Sequence, residues 1–180
     1  RSIQKDWVET LDKLGISHSP QMDLTSTCGN PVEVQQWNLH GLPSDAMSTE
    51  NALIMFKSPR WPLLIDPQTQ GNTWIRNMHK NDQLQVTKPS ESNYAKIIEG
   101  AVRMGLPCLL ENVGEGLEPM LEPVLLRQTF MIGSQPHIKI GDSVIPYDKN
   151  FKFYITTKLP NPTYDPENCV KISLLNFFIT

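Results

Sequence analysis

The chain has 180 residues, of which 39% are hydrophobic and 19% charged, and its formal net charge is −3. That length suits one domain with an appendage, or two small ones, and is enough to bury a sizeable core. The mild acidity provides no electrostatic footprint for nucleic acid or an anionic membrane, and no apolar run reaches the roughly 18 residues that a membrane-spanning helix needs.

Arg1 is no natural start, so a piece of a longer chain is expected, and residues 1–10 are too polar for a signal-peptide core. Cys28, Cys108 and Cys169 fit neither a disulfide framework nor zinc spacing, which points to a reducing, cytosolic compartment. Trp7, Val8, Leu11 and Leu14 recur at helical spacing, with Gly15 as a stop. Residues 17–49 carry turn chemistry, in Cys28-Gly29-Asn30-Pro31 and again in Gly41-Leu42-Pro43-Ser44-Asp45. They are expected to form an irregular arm that wraps over a neighbouring surface. Residues 1–50 are thus set apart from a domain over 51–180.

Beyond residue 50, apolar runs at 52–56, 62–65, 84–86, 107–113, 151–156 and 170–180 are expected to be buried strands. Tyr94, Ile97, Ile98, Ala101 and Val102 trace one face of a helix. Ser90 or Ser92 can cap its start, and Gly105 and Pro107 close it. A helix is expected to begin near Asn72 and present Trp74, Ile75 and Met78. Another is expected over 123–130, with Pro123 in its first turn. Ile138-Lys139-Ile140 and Ser143-Val144-Ile145, joined by Gly141-Asp142, read as a hairpin with a two-residue turn. Strands alternating with helices imply crossover units, an α/β fold and a parallel sheet covered on both faces.

In such a sheet a ligand binds at the carboxyl ends of the strands, which selects residues 66–73 together with Glu111 and Asn112. A phosphate loop needs glycines, a lysine for the terminal phosphates and a Ser or Thr for magnesium. The residues present are Asp66, Pro67, Gln68, Thr69, Gln70, Gly71, Asn72 and Thr73. They hold one glycine and no Gly-Lys-Ser/Thr, Pro67 lacks an N–H, and Asp66 puts a carboxylate where an anion would sit. Trp61 and Trp74 read as core or interface anchors. Glu115, Glu118 and Glu122 read as structural, Cys108 as a buried inert thiol, and His18, His40, His79 and His137 share no metal-ligand spacing.

Several runs together resemble one family closely. They are Arg60-Trp61-Pro62-Leu63-Leu64-Ile65-Asp66-Pro67-Gln68, Leu109-Leu110-Glu111-Asn112-Val113-Gly114-Glu115, residues 121–130, Gly141-Asp142, residues 153–162, and Leu174-Leu175-Asn176-Phe177 with Ile179-Thr180. They resemble the fifth AAA+ module of dynein heavy chains, the axonemal members more than the cytoplasmic ones, over nearly the whole chain and most strongly from Trp37 onward. The resemblance implies a P-loop NTPase fold, the large AAA+ subdomain, with strand order 5-1-4-3-2, preceded by a helix and arm that follow the stalk. It places Gln68 to Thr73 at the Walker A loop, Leu109 and Leu110 on the Walker B strand, Glu111 and Asn112 at its acidic pair, and Lys158 near the sensor position. All of these depart from the catalytic pattern.

The resemblance therefore implies a structural, force-transmitting module with no catalytic residue, no metal and no nucleotide of its own, ATP and magnesium belonging to other modules of the parent motor. The alternative is a module that retains nucleotide binding or weak ATPase activity. Arg127 is weighed as an arginine finger for a neighbouring module against a solvated or ion-paired helix residue, and the second is favoured. Implied partners are the adjacent AAA+ modules, intermediate and light chains in the parent complex, and microtubules indirectly. The implied location is the cytoplasm, cytoskeleton and ciliary axoneme.

Overall fold

The computed structural model describes residues 2–18 and 23–178. Its helices are α1 (Ser2–Lys13), α2 (Leu24–Cys28), α3 (Pro31–Leu39), α4 (Ala46–Lys57), α5 (Gln70–Met78), α6 (Tyr94–Met104), α7 (Glu122–Leu125) and α8 (Pro166–Cys169). Its strands are β1 (Trp61–Ile65), β2 (Gln85–Thr87), β3 (Pro107–Leu110), β4 (Thr129–Ile132), β5 (Gln135–Ile140), β6 (Ser143–Pro146), β7 (Lys152–Thr157) and β8 (Ile172–Asn176). Arg1, residues 19–22 of the expected arm, and Ile179 and Thr180 of the expected last strand lie outside the described residues.

Five strands form a parallel sheet in the order β2-β3-β7-β1-β8. Counting these five in chain order and reading from the β8 edge gives 5-1-4-3-2, the order implied by the resemblance. Strand β1 is central, pairing Leu63 with Ile155 of β7 on one side and with Leu174 of β8 on the other. Every residue of β1 and of β3 is buried, as a sheet covered on both faces requires.

Alternate residues supply the two cores. Leu63, Leu110, Phe153 and Ile155 face α6, α7 and the hairpin residues Ile138, Ile140 and Ile145. Leu64, Leu109, Tyr154 and Leu175 face α5, through Trp74 and Ile75, and α4, through Ala52 and Leu53. Trp61 and Trp74 are both in these cores, as expected, and Trp74 stacks obliquely on Phe177 at 5.9 Å between ring centroids. Cys108 is buried, and burial pushes its thiol up to about 12, so it is inert at neutral pH.

The stretch expected to be irregular is largely helical, and the boundary expected after residue 50 falls inside α4. Asp23 caps α2 by accepting the Ser26 N–H at 2.6 Å, and Asn30 caps α3, with Pro31 at its first turn. Asp45 caps α4 through the Ser48 N–H at 2.8 Å. The run at 52–56 is therefore the second half of a helix rather than a strand, because this cap starts a three-turn helix whose Ala52, Leu53 and Met55 are buried. Trp37 and Leu42 join the same core as α4 and α5, and Trp37 stacks on Phe56 at 5.2 Å.

Two further differences concern ends. The helix expected over 123–130 stops at Leu125. Arg127 takes a left-handed φ of 50° and residues 129–132 pair with β5, making a three-stranded antiparallel sheet of the expected hairpin. Helix α6 starts after Asn93 without a side-chain cap, so neither Ser90 nor Ser92 plays that role. Gly105 does end α6, at φ +67°, and a Cβ there would lie 2.6 Å from the Asp148 carboxylate, so both the turn and the contact require glycine.

Behind α5, the buried His79 bridges two elements. Its Nδ1 lies 2.8 Å from the Asp82 carboxylate and its Nε2 2.9 Å from the hydroxyl of Tyr154 on β7. The neutral ring with its proton on Nδ1 satisfies both contacts, donating to Asp82 and accepting the Tyr154 O–H.

Leu110 has no exposed surface, and Leu110→Ala is expected to destabilise the fold by about 2–5 kcal/mol, read as a shift of the urea midpoint. A shift equivalent to well under about 1 kcal/mol would contradict the burial of β3. Burial also holds the His79 imidazole below its ordinary 6.5, outweighing the pull of Asp82, while Lys152 and His40 add to the depression. The unfolded chain therefore takes up this proton first as pH falls, so the His79 contribution is complete above about pH 6.5 and is lost as pH drops through the folded value. Urea midpoints measured downward from pH 7.5 should fall more steeply for the wild type than for His79→Gln. Parallel profiles would show that His79 does not carry the dependence.

Candidate functional site

The carboxyl edge of the parallel sheet gathers the ends of β1, β3 and β7. Asp66 continues β1 by donating its N–H to the Thr157 carbonyl at 2.9 Å. The chain then turns into α5 through Thr69, which has a left-handed φ of 62° and no capping bond from its side chain. The capping acceptor comes instead from the strand. Asp66 Oδ1 accepts the Gln70 N–H at 2.8 Å, and Oδ2 accepts the Asn72 N–H at 2.9 Å. These N–H groups are among those that the first turn of a helix leaves without an intrahelical partner.

Asp66 is 1% exposed. Gly71 lies against it, and a Cβ there would come within 2.7 Å of Leu64 Cδ2 and 3.3 Å of Asp66 Oδ2. Pro67 is half-buried, Gln68 and Thr73 are exposed, and the Thr73 hydroxyl donates back to the Thr69 carbonyl at 2.8 Å. Thr69, Gln70 and Asn72 complete the loop that the sequence selects, with Asn72 buried.

At the end of β3, Glu111 donates its N–H to the Thr87 carbonyl at 2.9 Å, and its side chain is nearly buried. One of its oxygens, Oε1, accepts from both Nε and Nη2 of Arg76 on α5, at 3.2 and 2.5 Å. Asn112 is exposed, at a left-handed φ of 58°. The chain is then tied to β7: the Val113 N–H donates to the Thr156 carbonyl at 3.0 Å and the Thr157 hydroxyl to the Val113 carbonyl at 2.8 Å. Lys158 follows β7 and is exposed. The structure thus brings residues 66–73, Glu111, Asn112 and Lys158 to one edge.

Arg127 lies elsewhere. Its guanidinium stacks on the Trp61 ring, 3.9 Å from the centroid, at the amino end of β1. The Trp61 indole N–H donates to the Val124 carbonyl at 2.9 Å. Arg127 is exposed, and in this position it covers an indole.

Of the acidic cluster, Glu115 is exposed, and Glu118 and Glu122 enter structural bonds. Glu118 accepts the Tyr94 hydroxyl, and burial together with this carboxylate pushes that phenol up to about 12. Glu122 and Glu167 hold Lys171 at 3.0 and 2.9 Å. Among the described residues no group of three His, Cys, Asp or Glu could hold a metal ion.

Sequence reasoning recognised the Asp66 carboxylate but not its two donors, and it gave Arg76 no partner. The signals were a carboxylate four residues before a helix start and an arginine one turn and a half into that helix. The first does not say which amides, here four and six residues on, the carboxylate accepts from, and the second does not specify a carboxylate 35 residues away.

The comparisons with known proteins agree with this geometry. The family described as the ATP-binding dynein motor region matches residues 35–180. Dynein axonemal heavy chain 6 of Homo sapiens is 47% identical over 100% of this chain, and dynein axonemal heavy chain 1 of Rattus norvegicus is 49% identical over 99% of it. Dynein axonemal heavy chain 3 of Mus musculus is 45% identical over 98%. In each case the match spans 4% of the length of the relative. With the sheet order and the family match in accord, the chain belongs to the dynein motor region family, and its sequence is similar throughout to axonemal heavy chains.

Proposed function

We propose that this chain is a structural, force-transmitting AAA+ module at the fifth position of an axonemal dynein ring, and that it neither binds nor hydrolyses ATP to a useful extent. The observation that carries this reading is the polar inventory of the carboxyl edge. The loop from Asp66 to Thr73 contains no lysine, and Glu111, the acidic group at the end of β3, has its nearly buried carboxylate bonded to Arg76.

A magnesium nucleotide does not fit these residues. A triphosphate needs compensation for roughly four negative charges, normally from a lysine, the metal and a nest of N–H groups. Here the N–H groups of Gln70 and Asn72 already donate to Asp66. Asn112 is an amide and accepts no proton from an attacking water. The Thr73 hydroxyl, at the end of the loop, donates to the Thr69 carbonyl.

On this reading ATP and magnesium act at other modules of the parent chain, and this module passes rigid-body shifts between its ring neighbours. Its partners are those neighbouring modules, with intermediate and light chains in the parent complex and microtubules reached indirectly. Its place is the cytoskeleton of the ciliary axoneme. On this reading neither nucleic acid nor a membrane is a partner, in keeping with the formal net charge of −3; among the described residues no helix is long and apolar enough to cross a bilayer.

Titration calorimetry with Mg-ATP tests the reading. Losing several charge-assisted bonds, each worth about 1.5–3 kcal/mol, moves affinity from micromolar to millimolar or weaker. Absent or millimolar binding is expected, and a dissociation constant tighter than about 10 μM, near −7 kcal/mol, would refute it.

A further inference from the structure

The first turn of a helix presents unpaired N–H groups and the positive end of the helix dipole, which together attract an anion. In this chain that position is already filled from within. Asp66 leaves the end of β1, buried to 1% exposure, and its two carboxylate oxygens take the N–H groups of Gln70 and Asn72 separately, at 2.8 and 2.9 Å. Gly71 lies between these two donors. The space a Cβ would need there is taken by Leu64 Cδ2 and Asp66 Oδ2, so the helix end is pressed onto the strand with the carboxylate between them.

The cationic side of the same edge is also supplied internally. Glu111 is held by Arg76, which stands on α5. The two bonds are independent. One joins β1 to the start of α5, and the other joins the end of β3 to the last turn of α5.

We propose that Asp66 is a built-in plug: its carboxylate occupies the anion position of α5, so that the module is held in a single ligand-independent conformation, closed to phosphate. The inference rests on the reading of the chain as a module without its own nucleotide and gives that reading a physical cause. An intramolecular carboxylate loses no translational freedom on binding, and its occupancy does not depend on the concentration of any ligand. A module closed in this way transmits motion at every stage of the parent motor's cycle.

The test follows the backbone amides of Gln70 and Asn72 by nuclear magnetic resonance in the wild-type chain, Asp66→Asn and Asp66→Ala. The probe is inorganic phosphate at millimolar concentration. In the wild type both amides should be protected from hydrogen exchange and silent to phosphate. In Asp66→Ala their exchange should accelerate by about tenfold or more relative to the α6 amides of Ile98 and Val102, and both should shift saturably with phosphate. Asp66→Asn keeps the shape and one acceptor oxygen and should fall between the two, which keeps the test decisive if the alanine chain does not fold. A saturable phosphate response in the wild type would overturn the proposal. So would unchanged exchange at Gln70 and Asn72 in both variants, or an alanine chain that folds and ignores phosphate. Mg-ATP binding to a wild type whose Gln70 and Asn72 amides stay silent would sink the proposed function and leave the plug standing.

Discussion

A carboxylate that is 1% exposed must find donors, because a buried charge without them is too costly to keep. Asp66 cannot move away from its position, since β1 is hydrogen-bonded on both sides, to β7 and to β8. Its donors therefore have to come to it. The turn through Pro67 and Thr69 brings the first amides of α5 onto both oxygens, and this sets where α5 starts and how it lies on the sheet. Trp74 and Ile75 then fall in one core with Leu64 and Tyr154, so the placement of one buried carboxylate bears on the packing of that face.

Much of this architecture was legible in the residues. The strands expected over 62–65, 107–113 (which ends at Leu110) and 151–156, the helix from Tyr94 closed by Gly105 and the two-residue turn at Gly141-Asp142 each combine a local signal with burial that agrees with it. The strand order followed from the resemblance and not from periodicity, because pairing in a parallel sheet is decided by contacts far apart in sequence. The misreadings have separate causes. Residues 52–56 are apolar in a row, and such a run fits a buried strand or a buried helix equally. The Asp45 cap that settles the matter stands seven residues earlier, within a segment rich in turn residues. Residues 123–130 read as a helix throughout, and the pairing of Thr129 with Ile138 in the antiparallel sheet is what stops it at Leu125.

At the site, the residue types were legible and the bonds between them were not. The absence of a lysine and the presence of Asp66 can be read directly from residues 66–73. The ion pair between Arg76 and Glu111 joins residues on elements separated by β2 and α6, and no local pattern links them. Arg127 shows the converse. As a solitary arginine near a helix it invites a role toward a neighbour, yet its guanidinium lies over Trp61, at the amino end of β1.

The same bonds give α5 an unusual set of attachments. Its first turn is held by Asp66 at the end of β1. Its last turn is held by the Arg76 pair to Glu111 at the end of β3. That turn gives way to His79, which hydrogen-bonds Tyr154 on β7. One nine-residue helix is thus tied to three different strands, through its first amides, through Arg76 in its last turn and through His79 at its C-cap. In a module that binds and releases a ligand at this edge, the helix that carries the loop must be able to respond, and attachments to three strands would resist that response. In a module whose task is to carry displacement from one neighbour to the next, they serve a purpose. A shift applied to any of the three strands moves α5 as part of one body, because two of the three ties are charged bonds at buried carboxylates, whose loss would leave an uncompensated charge in the interior.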